Sequence, residues 1–324
     1  MFSSLKTPLC DQLHIRWPIV SAPMAGVAGG ALAAAVSRAG GLGLIGAGYN
    51  DAASIHHEFE LAGSERIGIG FIAWYASQHP EQMDAALSHN PAVVMLSFGD
   101  ASEYADRIKS RGIPLIVQVQ TVAMAREAAA LGADLIVAQG NDGGGHGAEF
   151  RGTFSLVPSV VDAVGPVPVL AAGGIADGRG IAAALMLGAS GALIGTRFFA
   201  SNEALGSPKA KDALTRGNGD DTVRTRVFDI VRGYDWPKHF TGRALVNAFT
   251  RRWHGGEEGL AKVLVTETPA YWKANSAGDI DTAVVWASQA VDLITTIEPA
   301  EVLFRRLVEN AEDLLGQARS AAHR

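Results

Sequence analysis

Short apolar runs alternate with alanine-rich helical patterns from residue 17 to about residue 200. The apolar runs are continuous, which is typical of strands that are buried on both faces of a parallel sheet. They predict eight strands, at residues 19–21, 42–45, 67–71, 93–96, 115–118, 135–138, 167–171 and 192–195. Eight strand–helix units of this kind predict an α/β fold, a (β/α)8 TIM barrel, rather than an open sheet.

The helical patterns between these strands have recognisable ends. Residues 30–38 are followed by Gly40 and Gly41, and glycine is common just past the end of a helix. Asp51 is suited to cap the start of the next helix. Further helices are predicted at residues 80–87, 102–109, 122–131, 155–164 and 180–187.

The chain changes character after the eighth predicted strand. Residues 1–205 are expected to form the barrel core. Residues 206–296 carry more charge and show no strand–helix alternation, so we expect an inserted or lid segment over the barrel mouth. Residues 297–324 have apolar side chains at helical spacing after Pro299, which predicts a helix that packs on the barrel exterior.

Composition narrows the class of protein. Hydrophobic residues make up 48% of the chain and charged residues 19%, so a large core is expected and disorder is not. The formal net charge of −6, without a long basic run, argues against a nucleic-acid partner. Cys10 is the one cysteine, no apolar segment reaches membrane-spanning length and the N-terminus lacks a signal-peptide core. These features predict a cytoplasmic protein without a membrane partner.

The segment that follows the sixth predicted strand carries the strongest chemical signal. Glycines at positions 143, 144, 145 and 147 surround His146. Glycine lets a backbone approach a flat ligand closely, and histidine is suited to move protons or hold an anion near neutral pH. At the carboxyl end of a barrel strand this pattern predicts an active-site loop, against the alternative of a solvated loop without function.

Two glycine turns after the seventh and eighth strands predict a phosphate site. Gly173 and Gly174 follow the seventh strand, and Gly195 and Thr196 follow the eighth. These two loops commonly bind phosphate in TIM barrels, because backbone N–H groups at such turns point at an anion. The alternative is a pair of tight turns without a ligand.

Other candidate residues lie at the ends of the first, fifth and sixth strands. Ala22, Pro23 and Met24 could lie flat beneath a ring system, although they could equally form a simple turn. Gln118 and Gln139 carry amides suited to the edge of a heterocycle, or could be amides that bond to other protein groups. No spacing of histidine, cysteine and carboxylates favours a metal site.

Together these segments resemble the nitronate monooxygenase family, formerly called 2-nitropropane dioxygenases. The resemblance covers about residues 12–202 and is carried by residues 18–26, 40–43, 119–122, 139–147, 171–178 and 195–198. It implies a barrel that binds FMN and oxidises alkyl nitronates, and neutral nitroalkanes in some cases, with molecular oxygen to carbonyl compounds and nitrite. It also implies a small-molecule substrate and a monomer or homodimer.

The resemblance assigns roles to individual residues. His146 matches the catalytic histidine of the family, and Met24 would lie against the flavin ring. The family often has Asn where this chain has Gly70, so a contact with the flavin is either lost here or supplied by Gln118. With the residues from the turns and strand ends, the expected FMN-binding set is Ala22, Pro23, Met24, Gly70, Gln118, Gln139, Gly144, Gly145, Gly173, Gly174, Leu193, Ile194, Gly195 and Thr196.

Two other functions stay open at this point. The same superfamily includes NAD(P)H-dependent FMN reductases that act on quinones or enoyl thioesters, and they share the glycine–histidine loop. A flavin-binding barrel without catalysis is the third possibility, but simple phosphate binding does not require a histidine after the sixth strand.

Overall fold

A computed structural model describes residues 5–322 and contains a closed barrel of eight parallel strands. The barrel strands are β1 (Ile19–Ser21), β2 (Leu44–Gly46), β3 (Gly68–Ile72), β4 (Val94–Ser97), β5 (Leu115–Val119), β6 (Leu135–Gln139), β8 (Val169–Ala172) and β9 (Gly191–Ile194). Each strand pairs with its neighbour around the ring, and a bridge between Val20 and Leu42 completes the closure. The predicted TIM barrel is therefore confirmed.

Side chains along each strand alternate between two separate cores. Val20, Met95 and Val137 belong to the core inside the barrel, whereas their neighbours Ile19 and Val94 pack in the core between the barrel and its helices. Because both faces of every strand are buried, the strands are continuous apolar runs in the sequence.

Helix α1 (Pro8–Leu13) closes the amino-terminal end of the barrel. Leu9 and Leu13 join the inner core, and the Thr7 hydroxyl donates to the carbonyl of Ser190, just before β9, at 2.6 Å. With this end closed, the open end of the barrel lies at the carboxyl termini of the strands.

The helices that surround the barrel agree with the predicted ones to within about two residues at most ends. Asp51 accepts a hydrogen bond from the Ser54 N–H at 2.8 Å, as predicted for a helix cap. The helices are α2 (Gly30–Arg38), α3 (Ala52–Ala62), α4 (Ala73–Ala76), α5 (Pro80–Ser88), α6 (Ser102–Lys109), α7 (Val122–Ala130), α8 (Thr153–Val164), α9 (Gly178–Met186) and α10 (Thr196–Phe199).

Residues 206–296 contain helices and two strands that the sequence did not reveal. The elements are α11 (Pro208–Thr215), β10 (Thr222–Thr225), α12 (Val227–Arg232), β11 (Thr241–Leu245), α13 (Ala248–Trp253), α14 (Glu257–Lys262) and α15 (Leu264–Ser276), with short 3-10 helices at Gly219–Asp221 and Val291–Leu293. They enclose a small core of their own, which includes Phe228, Phe249 and Tyr271.

A three-stranded antiparallel sheet joins this segment to the barrel. Its order is β10–β11–β7, where β7 (Gly145–Gly147) is the stretch that contains His146. The predicted glycine–histidine loop is thus partly a strand, and His146 pairs in register with Gly242 of β11.

The last helix, α16 (Ala300–Ala322), packs on the outside of the barrel against α9 and α2. Leu303, Phe304 and Leu307 are buried on its inner face, whereas Val302, although apolar, is 39% exposed. Pro299 precedes the helix, and its carbonyl accepts from the N–H of Leu303. Within residues 5–322 we find no helix that is both long and apolar enough to span a membrane.

Candidate active site

A cavity lies at the carboxyl ends of the barrel strands and opens to solvent, with about 1190 Å³ of space when the open part is included. Residues at or near the ends of all eight barrel strands line it, and so do four residues of the segment 206–296. From the predicted set, the lining includes Ala22, Pro23, Met24, Gly70, Gln118, Gln139, Gly144, Gly145, His146, Gly173, Gly174, Leu193, Gly195 and Thr196. The barrel therefore collects residues from all eight strand ends into one site.

Ile194 is the exception, and its side chain does not line the cavity. It is 1% exposed and packs in the core between the barrel and its helices. Its neighbour Leu193 faces inward, because successive side chains of a strand point to opposite faces. The Ile194 carbonyl accepts from the Ala22 N–H at 2.9 Å, so Ile194 positions the β1 turn instead.

The β8 and β9 end of the cavity is built from backbone. Gly173 and Gly174 have φ angles of +101° and +70°, which L side chains rarely adopt. A Cβ on Gly144 would lie 2.7 Å from the Ser288 nitrogen and 2.8 Å from Thr196 Oγ1. Thr196 Oγ1 already accepts from the Ser288 N–H at 3.2 Å. This end of the cavity is therefore lined mainly by backbone, together with the hydroxyl of Thr196.

An amide network connects β5 and β6 to the histidine strand. The Nε2 groups of Gln118 and Gln120 donate to Gln139 Oε1 at 2.9 and 3.0 Å. Gln139 Nε2 in turn donates to the carbonyl of His146 at 3.0 Å. Gln118 and Gln139 therefore bond to other protein groups and also line the cavity.

The space beside Gly70, where a larger residue would place its side chain, is filled by a neighbouring residue. A Cβ at this position would lie 2.3 Å from Cγ of Pro23. The ring of Pro23 thus fills the space that a side chain on β3 would need. A side chain at position 70 would therefore have to displace Pro23.

His146 occupies the middle of β7 and is held by residues far away in the sequence. Its Nε2 lies 2.9 and 3.0 Å from the two carboxylate oxygens of Asp229. Its ring stacks on Trp236, with ring centroids 3.5 Å apart and an angle of 2°. Trp286 lies on another side, with centroids 5.1 Å apart, and packs where a Cβ of Gly242 would be.

The surroundings of His146 favour a neutral ring. Burial lowers the pKa of His146 below its usual value, Asp229 opposes this, and the charges of Arg232 and Arg224 reinforce it. With a neutral ring, Nε2 donates its hydrogen to Asp229, which is 1% exposed, and the lone pair is on Nδ1. No residue of the described chain hydrogen-bonds to Nδ1, so this nitrogen can accept a proton.

Arg243, which is buried, and Arg224, which is half-buried, hold the glycine loop in place. Arg224 donates to the carbonyls of Gly147 and Thr241 at 3.1 and 2.8 Å. Arg224 and Arg243 both donate to the carbonyl of Asn141. Burial lowers the pKa of Arg224 to about 10, so it stays charged at neutral pH. These bonds fix the backbone on either side of His146.

The two adjacent histidines of α3, His56 and His57, lie outside the cavity. His57 is exposed, whereas His56 is only partly exposed and its Nδ1 lies 2.7 Å from Nε2 of His89. Within residues 5–322, no three histidine, cysteine, aspartate or glutamate side chains converge as metal ligands.

Sequence reasoning missed Asp229, Arg232, Trp236, Trp286 and Ser288. All five lie in the segment 206–296, which has no recognisable motif. The only local signal was its tryptophans, and a tryptophan alone does not distinguish a core residue from a site residue.

Comparisons with known proteins agree on one family. The model of the nitronate monooxygenase family matches residues 6–64 and 66–310. A nitronate monooxygenase, npaC, of Metarhizium robertsii is 36% identical, over 92% of this chain and 91% of that protein. FabK from Thermotoga maritima superposes with a TM-score of 0.87 at 30% identity, covering 98% of this chain and 100% of FabK. A nitroalkane oxidase from Streptomyces ansochromogenes superposes with a TM-score of 0.79 at 32% identity, covering 97% and 99%.

Proposed function

Because this chain belongs to the nitronate monooxygenase family, we propose that it oxidises alkyl nitronates, and neutral nitroalkanes, with molecular oxygen to carbonyl compounds and nitrite. The observation that carries this proposal is the buried pair of His146 and Asp229 at the wall of the cavity. A histidine that is held neutral and fixed in one tautomer is suited to remove a proton from the carbon beside a nitro group.

The cofactor proposed is FMN, and the cavity has features that fit it. Gly173, Gly174, Gly195 and Thr196 would hold the phosphate through the backbone N–H groups of their two turns, and the positive φ angles at the first two positions favour glycine. Met24 would lie against the ring, as the resemblance implies, since it lines the same cavity.

The amides of Gln118 and Gln139 would face the edge of the flavin, and the remaining proposed contacts come from the turn at Ala22 and Pro23 and from Gly144 and Gly145. When bound, the flavin supplies the electron-transfer chemistry, whereas the protein supplies position and electrostatics.

His146 and its partners perform the proton step. For a neutral nitroalkane, Nδ1 takes the α-proton while Asp229 keeps the hydrogen on Nε2 and stabilises the positive ring that forms. Trp236 covers one face of the imidazole, so the ring cannot tilt away from Asp229. A nitronate needs no such step, because it has already lost this proton.

An NAD(P)H-dependent flavin reductase is the second candidate, as the resemblance also implies. The likeness to FabK is at least as extensive as that to the nitroalkane oxidase, so backbone similarity does not separate the two activities. They differ in where the electrons come from, and this difference can be measured.

The decisive experiment compares electron donors. We expect the purified protein to be yellow, to release FMN that is identified by mass, and to consume oxygen with ethyl nitronate in the absence of NAD(P)H. Anaerobic mixing with the nitronate, but not with NADH, should bleach the flavin rapidly. Rapid reduction by NADH without nitronate turnover would instead establish the reductase, and release of FAD would contradict the cofactor proposed.

A further inference from the structure

Arg232 is an isolated cation at the substrate side of the cavity. It is the last residue of α12, one helical turn after Asp229. Among the described residues that line the cavity, it is the one lysine or arginine, and no carboxylate lines the cavity with it. An anion that enters the cavity therefore meets a single fixed positive charge.

Aromatic rings, rather than acceptors, surround this guanidinium. Its central carbon lies 4.7 Å from the ring centroid of Tyr234, 5.5 Å from that of Tyr49 and 6.0 Å from that of Trp272. Tyr49 and Tyr234 stack on each other at 3.7 Å, and the Tyr49 hydroxyl accepts from Trp236 Nε1 at 2.8 Å. These contacts hold the arginine by cation–π attraction and leave its donors free.

No carboxylate in the described chain forms an ion pair with Arg232 within 4.0 Å, and no acceptor there takes a hydrogen bond from it. The nearest acid in sequence, Asp229, bonds to His146 with both of its oxygens. Arg232 is half-buried, and its five N–H donors remain available to a ligand in the cavity.

We propose that Arg232 receives the negative charge of the substrate, by binding the two oxygens of its nitronate group. This inference rests on the proposed function and assigns separate roles to two residues. His146 removes the proton, and Arg232 binds the negative charge. A nitronate carries that charge from the start, whereas a nitroalkane acquires it as it loses its proton. A nitronate group is planar with two oxygens, like a carboxylate, and a guanidinium can bind such a group with two parallel hydrogen bonds.

Kinetics of Arg232→Gln and Arg232→Lys test the assignment. A hydrogen bond to a charged group corresponds to about a 10- to 100-fold change in binding, so Arg232→Gln should raise KM for ethyl nitronate by about that factor. For neutral nitroethane, KM should stay within about threefold while kcat falls, because the charge appears only during the reaction. Arg232→Lys should recover part of the loss, since it keeps the charge but not the planar fork.

Nitrite supplies a readout that does not depend on turnover. It is a small anion with two oxygens, and calorimetric titration with sodium nitrite should show affinity weakened about 10- to 100-fold in Arg232→Gln. Lys238→Gln is the matched control, because Lys238 is exposed in the same segment and does not line the cavity. It should bind nitrite like the wild type.

Three outcomes would overturn the assignment: unchanged nitrite affinity in Arg232→Gln, loss of flavin from that variant, or equal weakening in Lys238→Gln. Loss of flavin would assign Arg232 to cofactor binding. Equal weakening in Lys238→Gln would mean that nitrite affinity depends only on the net charge of the protein. If the wild type fails to consume oxygen with any nitronate, the proposed function is wrong, but the nitrite titration still decides whether Arg232 receives an anion.

Discussion

The two ends of the cavity differ in composition, since one is lined mainly by backbone and the other by side chains. At the β8 and β9 end, backbone and glycines form the wall, and Gly173 and Gly174 follow directly after a barrel strand. At the His146 end, side chains form the wall, and His146 contacts Asp229, which lies 83 positions later in the sequence. The first end is local in sequence and belongs to the barrel, whereas the second exists only where the added segment meets the barrel.

This difference predicts opposite sensitivities. The glycine end is damaged by adding atoms, because its function is to leave room beside the backbone. The histidine end is damaged by removing atoms, because its function depends on specific ring and carboxylate contacts. Substitutions at the two ends should therefore separate cofactor retention from catalysis.

The largest effect is expected for Gly174→Asp, which should abolish flavin retention. A side chain on Gly174 would be strained at φ +70° and would lie beside Asp142, so the new carboxylate would add negative charge next to the proposed phosphate site and repel a phosphate. Absorbance near the flavin bands after gel filtration, together with mass identification of any released pigment, measures the loss.

Gly112→Asp is the matched control for backbone strain. Gly112 has the same φ angle of +70° as Gly174, lies on the surface, and has open space where a Cβ would lie. If both variants lose flavin equally, the effect of Gly174→Asp comes from strain and the phosphate assignment is wrong.

The second prediction concerns His146→Asn, which should keep its flavin and lose turnover of neutral nitroalkanes by about 10²–10⁴-fold, the usual contribution of a general base. Turnover of nitronates should fall much less, because no proton has to be removed. Oxygen consumption with nitroethane and with ethyl nitronate gives the two rates.

His57→Asn, at an exposed position of α3, should leave both rates unchanged. Small and equal losses with the two substrates in His146→Asn would remove His146 from the chemistry. Large and equal losses with flavin retained would mean that His146 binds the anion, which would conflict with the role given to Arg232.

The smallest effect is expected for Asp229→Asn, at about 10- to 100-fold in nitroalkane turnover, since this residue acts through His146 and supports only part of its general-base contribution. The carboxylate raises the pKa of His146 against the dominant effect of burial. Its removal should therefore lower that pKa further.

The pH profile distinguishes this role from a structural one. Protonated His146 cannot act as a base, so activity falls as the pH drops through its pKa. In Asp229→Asn the acid limb of kcat/KM should lie at lower pH than in the wild type. A loss of activity with an unshifted acid limb would show that Asp229 only supports the fold of α12.

Much of the site could be predicted because its residues follow strands directly. Gly173, Gly195 and Gln139 each follow or end a run of apolar residues, and the barrel topology then brings those ends together. Ile194 was also expected in the site, but alternation turns its side chain away from the cavity, so only its backbone is left for a ligand contact. For Gly70, the sequence showed a departure but not that the ring of Pro23 takes the space.

The sequence by itself determined the barrel and the glycine end of the cavity. Continuous apolar runs specify strands that are buried on both faces, and glycine turns specify backbone conformations through local sterics. Only the tertiary structure decided the partners of His146 and the isolation of Arg232. Strands β10 and β11 are short and partly polar, and they pair with β7 through contacts distant in sequence. An aspartate or arginine on a short helix carries no local signal of its partner, because that partner is set by how the added segment packs on the barrel.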